Sequence, residues 1–342
     1  MQKFLVIFIC AFLMLSFDYI ASYPLFDQPP HFPKPIYNFN KNPLDSAAIE
    51  LGRALFYDPI LSRDNSISCA SCHSPFNAFA HTDHDLSHGI FDSIGTRNAP
   101  ALFNLAWQKL FMWDGAINHL DVQALAPITS QKEMGSSIKE VIAKLNTSKE
   151  YKSRFNQVFK DPKITSSRIL KALSQFQLTL ISAGSKYDLV VSGKDQFTHQ
   201  EKNGYELFLK NCNSCHQEPL FSNYTFQDNG IPLDSTLNDL GRFNISQVES
   251  DKMKFKVPSL RNLSYTYPYM HDGRFRSLKE VINHYTERLY KTPNKSPIQD
   301  NPIKLNSNEK VDLIAFLLTL NDPNFVFDKK HQFKKISMGA KE

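Results

Sequence analysis

Two pentapeptides, Cys69-Ala-Ser-Cys72-His73 and Cys212-Asn-Ser-Cys215-His216, lie 143 residues apart in one chain. Each offers two thiols that can add covalently across a porphyrin edge and a histidine that can reach the iron. A bare Cys-x-x-Cys would also suit zinc or a redox disulfide. The fifth and last cysteine is Cys10, so no third pair exists to finish a zinc site. The two motifs therefore predict covalent attachment of two haem c groups. One motif falls in each half of 342 residues, a length that favours two domains over one.

Composition narrows the partners. The chain is 42% apolar, enough to bury real cores, and carries a modest net charge of +5. No basic block interleaves with aromatics, which argues against nucleic acid. A weakly basic surface suits docking of an acidic electron donor, although most such charge is simply solvated. The start, Met1-Gln-Lys3 followed by apolar Phe4 to Phe17 and then Asp18-Tyr-Ile-Ala-Ser22, reads as a secretory signal over residues 1–22. The alternative is a retained anchor, for which the run is short. Export predicts a periplasmic location. Cys10 leaves with the signal, the other four cysteines are committed to haem, and no structural disulfide is expected.

Tyr23 to Asn42 is rich in proline and aromatics and reads as an extended arm. Helical spacing begins near Ser46 and returns over Ser137 to Leu145, Ser166 to Ile181 (with a serine cap), Gln200 to Leu209 and Ser307 to Leu320. Asp58 to Ser68 is a loop, and Pro75 to Pro100, crowded with histidine, aspartate and glycine, is a long functional loop. No run alternates long enough for a good strand. The fold class expected is mostly α, with two cytochrome-c-like haem domains, 23–190 and 191–342.

Further motifs accompany the pentapeptides: Thr96-Arg-Asn-Ala-Pro100, Phe111-Met-Trp-Asp-Gly115, Gln123-Ala-Leu-Ala-Pro127 with Glu133-Met134, Val257-Pro-Ser-Leu-Arg-Asn262 and Tyr267-Pro-Tyr-Met-His-Asp-Gly273. With them the chain resembles the bacterial dihaem cytochrome c peroxidase family, including its MauG-like branch, from about Leu51 to Leu320. The resemblance implies a peroxidatic first haem with His73 as proximal ligand, and an electron-transfer second haem held by His216. It gives Glu133 the role of distal acid–base, Gln123 that of positioning peroxide, and Pro127 that of shaping the pocket wall. Trp113 would relay an electron or hole between the haems. Read without the family, Glu133 is a solvated helix-start carboxylate and Trp113 is core; Trp107 is left as core in either case.

The resemblance also implies a sixth ligand to the second haem fourteen residues after His271, a position held here by Tyr285, as in MauG-like members; His284 and Met270 stay open as alternatives. His81, His84 and His88 precede Arg97-Asn98, with His88 the nearest candidate to cap the first iron; the preferred state leaves that iron open or water-bound. A calcium ion between the haems would be held by Asn98, Thr266 and Pro268, an oxygen-only set of the kind calcium takes. The surface tryptophan through which MauG-like quinone maturation draws electrons is replaced by Lys210. The function expected is reduction of hydrogen peroxide with electrons from a small cytochrome c or copper protein. The alternatives are a MauG-like oxidase of a protein or organic substrate, and a non-catalytic dihaem electron carrier. A homodimer is frequent in the family, with no interface legible here.

Overall fold

The computed structural model describes residues 25–290, 292, 294 and 302–333; the expected signal over residues 1–22 lies outside the described residues. Helices dominate. α1 (Ser46–Tyr57) starts where the Asp45 carboxylate accepts the Ala48 N–H at 2.9 Å, and it buries Ile49, Leu51, Leu55 and Phe56. α2 (Cys69–Cys72) is one turn carrying the first thiol pair. α3 (Leu120–Gln123) and α4 (Leu125–Thr129) follow, then α5 (Ile138–Thr147), which opens on a capping box between Ser137 and Glu140. α6 (Lys149–Phe159) and α7 (Ser166–Leu178) complete the first domain's helices. The cap of α7 is Thr165, whose hydroxyl accepts the Arg168 N–H at 3.3 Å, one residue earlier than the serine cap expected from the sequence.

The second half is built from α8 (Lys186–Val191), α9 (His199–Asn211), α10 (Leu278–Glu287) and α11 (Ser307–Leu318), with the short α12 (Pro323–Val326) near the end. Among the described residues the only named strands are β1 (Phe226–Gln227) and β2 (Phe255–Lys256), paired antiparallel. The fold is thus mostly α with two cytochrome-c-type domains. The loop from residue 75 to 100 contains only short 3-10 turns and isolated bridges.

Two hydrophobic clusters organise the chain. The first is centred on α1 and α7 and includes Leu55, Phe56, Phe79, Leu173 and Phe176. The second joins α9 and α11 through Phe208, Phe221, Phe316 and Leu320. They do not follow the two halves strictly. Leu220, just beyond the second haem motif, and Phe325 and Val326 of α12 pack in the first. Behind them the Tyr57 hydroxyl donates to the His331 carbonyl at 2.6 Å, and Arg53 donates to the Lys330 carbonyl. The N-terminal arm is tied down too: Phe26, Phe32 and Phe39 are buried, and the Trp107 indole N–H donates to the Pro33 carbonyl at 2.7 Å.

In each domain a glycine sets how closely two helices approach. A Cβ on Gly52 of α1 would lie 1.9 Å from the Ala172 carbonyl oxygen of α7, and one on Gly204 of α9 would lie 1.9 Å from the Asp312 carbonyl oxygen of α11. Neither obstacle is a side chain that could swing away. We expect Gly204→Ala to destabilise the second domain by about 1–3 kcal/mol through overpacking. Denaturant unfolding of the holoprotein reads this directly, and an unchanged midpoint would show that the helices can separate freely.

Candidate active site

The two histidines of the pentapeptides are prepared alike. His73 Nδ1 faces the Phe79 carbonyl at 2.9 Å. His216 Nδ1 faces the carbonyls of Phe221 at 3.3 Å and Pro258 at 3.1 Å. Pinning one ring nitrogen on a carbonyl fixes the tautomer and leaves Nε2 as the ligand atom. Burial lowers both imidazoles to about 4, so each is neutral, as ligation requires. Phe79 and Phe221 can present these carbonyls because both adopt left-handed backbone, at φ +60° and +54°. Cys69, Cys72, Cys212 and Cys215 are all free and partly exposed. Among the described residues no group of three or more His, Cys, Asp or Glu side chains is arranged to hold a metal ion. These features fit covalent haem at both motifs and do not fit zinc.

Around the first thiol pair the chain places a carboxyl. Cys69 is pushed up to about 12 and Cys72 up to about 11, mainly by burial, with the nearby Glu133 carboxylate adding to both. Burial likewise holds Glu133 above the ordinary carboxylate value. Its backbone is gripped by the 87–93 loop. The Ile90 N–H donates to the Glu133 carbonyl at 2.8 Å, and a Cβ on Gly89 would sit 2.1 Å from the Lys132 carbonyl oxygen. Gln123 is buried, with its amide 3.8 Å from the Met112 sulfur. Pro127, in the middle of α4, offers its carbonyl to the Met134 N–H at 3.2 Å. Gln123 and Pro127 lie in α3 and α4, just ahead of the turn that carries Glu133.

The loop histidines form a stacked row. His88 Nδ1 pairs with Asp92 at 3.1 Å, and its ring stacks on His84 at 4.1 Å; His84 in turn meets His81, Nδ1 to Nε2, at 3.3 Å.

Around the second thiol pair, the three candidate iron ligands converge on Asn229, a residue the sequence did not single out. The buried His284 uses Nε2 on the Asn229 carbonyl at 2.8 Å, and the Met270 sulfur accepts from the Asn229 amide at 3.4 Å. Tyr285 also bonds the Asn229 side chain, and its hydroxyl is raised by burial first and then by the nearby Cys212 and Cys215. Of the three, Tyr285 is the one whose acid–base behaviour feels the thiols.

Trp113 lies where the domains meet. Its indole N–H donates to the Asn98 carbonyl at 2.8 Å, and its own carbonyl accepts the Lys256 N–H of β2 at 2.7 Å. Asn98 is buried; its N–H donates to the His271 carbonyl at 2.7 Å and its amide to the Asp85 carbonyl at 3.2 Å. Thr266 and Pro268 lie in the same segment as His271, Pro268 buried and Thr266 partly so. The His271 ring stacks on Phe255 at 3.6 Å, and its buried Nδ1 has no partner within the chain, a nitrogen that a haem propionate would satisfy.

Asp239 and Lys256, which carried no sequence signal, meet residues of the quoted motifs at this junction. Arg97 binds Asp239 twice, at 2.6 and 2.9 Å, and Asp114 at 2.6 Å. Burial alone would raise Asp239, but the Arg97 bonds and charge hold it below the ordinary carboxylate value. Lys256 donates to Gln108 at 2.9 Å and to the Leu110 carbonyl at 2.8 Å, and burial lowers it to about 7. Only pairing across the interface, which no local pattern encodes, reveals them.

A family model described as di-haem cytochrome c peroxidase matches residues 46–196, and one described as cytochrome c matches residues 201–321. The methylamine utilization protein MauG of Methylophilus methylotrophus is 34% identical over 329 residues, covering 93% of this chain and 95% of that protein. The cytochrome c551 peroxidase of Nitrosomonas europaea is 35% identical over 296 residues, 83% of each chain. Among solved structures, a MauG-like protein associated with microbial copper homeostasis superposes with a TM-score of 0.80 at 29% identity, covering 90% of this chain and 98% of that one.

We expect Arg97→Ala to cost about 3 kcal/mol or more, because it leaves Asp114 and Asp239 buried without their cation. Urea unfolding of the holoprotein checks this; a loss below about 0.5 kcal/mol, the size usual for surface changes, would mean that the junction is held elsewhere.

Proposed function

Because the chain belongs to the di-haem cytochrome c peroxidase family, we propose that it reduces hydrogen peroxide to water at its first site, using electrons that enter at the second. The single observation that carries this reading is Glu133, a carboxyl of raised pKa held beside the first thiol pair. Cys69, Cys72 and His73 would hold a haem whose iron would supply O–O cleavage, and Cys212, Cys215, His216 and Tyr285 would hold a haem that would serve as a one-electron store.

The chain's own part is proton handling and positioning. A Glu133 carboxylate oxygen takes the proton from one peroxide oxygen and delivers it to the other, which leaves as water. Two electrons and two protons in all convert one peroxide to two waters. Gln123 orients peroxide by hydrogen bonding, and Pro127 closes the wall with an apolar surface. Trp113 supplies an oxidisable ring between the domains, held in place by the Asn98 carbonyl. Asn98, Thr266 and Pro268 would hold calcium through one side-chain oxygen and two carbonyls, bracing that junction. The electron donor is a small cytochrome c or copper protein, and the location is periplasmic.

A second reading, a MauG-like oxidase of a protein or organic substrate, draws on Tyr285 and on the likeness to MauG. Lys210, exposed in the last turn of α9 before Cys212, weighs against it, since an ammonium cannot pass an electron as an indole does. A plain electron carrier would have no use for a buried carboxyl beside the first thiol pair.

Glu133→Gln should lower peroxide turnover by about 10²–10⁴-fold with covalent haem content unchanged; turnover equal to that of the parent protein would remove Glu133 from the mechanism. Because Glu133 must be ionised to accept the proton and burial raises its pKa, turnover should fall as pH drops through a value above the ordinary glutamate pKa of about 4.3. A pH–rate profile flat through the acid range would refute this assignment. Low-temperature EPR of the ferric protein should show one high-spin and one low-spin haem, with only the low-spin signal changed by Tyr285→Phe. Two low-spin signals indifferent to that substitution would mean that other ligands cap both irons.

A further inference from the structure

The two domains repeat one motif at a constant offset of 158 residues. Asn104 and Asn262 both adopt left-handed backbone, φ +55° and +63°, and each precedes a 3-10 turn, Leu105–Trp107 and Leu263–Tyr265. The turns at Phe111–Gly115 and Tyr269–Gly273 then match bond for bond. Phe111 N–H donates to Ile117 at 2.8 Å and Tyr269 N–H to Phe275 at 2.7 Å; Gly115 and Gly273 each donate back to a methionine carbonyl at 3.3 Å. Met112 and Met270 have φ +69° and +74°, and both glycines have φ +70°. Four residues later His119 and Ser277 cap α3 and α10 with their side chains. No insertion or deletion interrupts the match from Asn104 to this cap. Continued along the helix, the same register sets Gln123 against Val281 and Pro127 against Tyr285.

We propose that position 127 is the sixth-ligand position of the first haem, withheld because proline has no atom that can bind iron. The proposal rests on Tyr285 being the ligand of the second haem. One substitution within a repeated motif then separates a capped site from an open one. Proline also redirects the chain beyond it. Without an N–H at 127 the Gln123 carbonyl loses its helical partner, and the segment is broken into α3 and α4, whereas α10 runs unbroken for ten residues. Past the break, Glu133 N–H donates to the Ser130 carbonyl at 3.1 Å and Met134 N–H to the Pro127 carbonyl at 3.2 Å, folding the chain back so that Glu133 stands by Cys69 and Cys72. The residue that removes the ligand thus also helps to turn the acid into the pocket.

The test is the ferric spectrum of the holoprotein with Pro127→Met, with Pro127→His as a second ligand-bearing variant should methionine prevent folding. Pro127→Ala, which adds no donor, is the control. With covalent haem content verified, either ligand-bearing variant should lose the high-spin EPR signal of the first haem and gain a second low-spin one, with loss of peroxide turnover. Pro127→Ala should keep the high-spin signal. Retention of the high-spin signal in both folded ligand variants, while Tyr285→Phe still alters the low-spin signal, would overturn this proposal alone. A low-spin signal untouched by Tyr285→Phe would overturn the Tyr285 ligand and this inference with it.

Discussion

Arg97 fixes one half of the molecule against the other. Its guanidinium makes two bonds to Asp239, from the chain after the second haem motif, and one to Asp114, from the turn that carries Trp113. Burying three charges is costly unless each is paired and hydrogen-bonded, and here the planar fork meets both carboxylates. The guanidinium also lies 5.8 Å over the Phe255 ring, whose other contact is the stacked His271. The next residue, Asn98, ties its N–H to His271 and its carbonyl to the Trp113 indole. The spacing between the two attachment sites therefore depends on a group of interactions around one arginine.

A second buried ion pair secures the same arrangement from the outside. Arg261, fully buried, binds both oxygens of Asp188 at 2.8 Å, and Asp188 also receives His31 from the N-terminal arm at 2.7 Å. Phe32, Tyr187 and Phe221 surround that guanidinium. With α12 returning to the first core, both ends of the described chain cross between domains. Such bracing suits a site whose reacting groups must be held to within a fraction of an ångström.

The two attachment sites begin from the same preparation, a neutral imidazole pinned by a carbonyl, and diverge on the opposite wall. Beside the first thiols stands a carboxyl that burial biases toward its neutral form; beside the second stands a buried phenol. Desolvation disfavours the ionised form of each. In the first case the result is a carboxyl held above its ordinary pKa. In the second it is a hydroxyl that burial and the neighbouring thiols keep in its neutral form.

The sequence alone determined the covalent chemistry, the helical class and the pairing of one attachment site with each half, because these depend on local spacing: Cys-x-x-Cys-His and the 3.6-residue apolar repeat of α1 and α11. It also named Gln123, Trp113, Pro127, Glu133 and Tyr285 as candidates by resemblance. Only the tertiary structure decided that Arg97 joins Asp114 to Asp239, that Asn229 gathers Met270, His284 and Tyr285, and that Phe325 returns to the first core. The physical reason is distance along the chain. Arg97 and Asp239 are 142 residues apart, and no periodicity or motif specifies a pair that forms only when two domains close on each other.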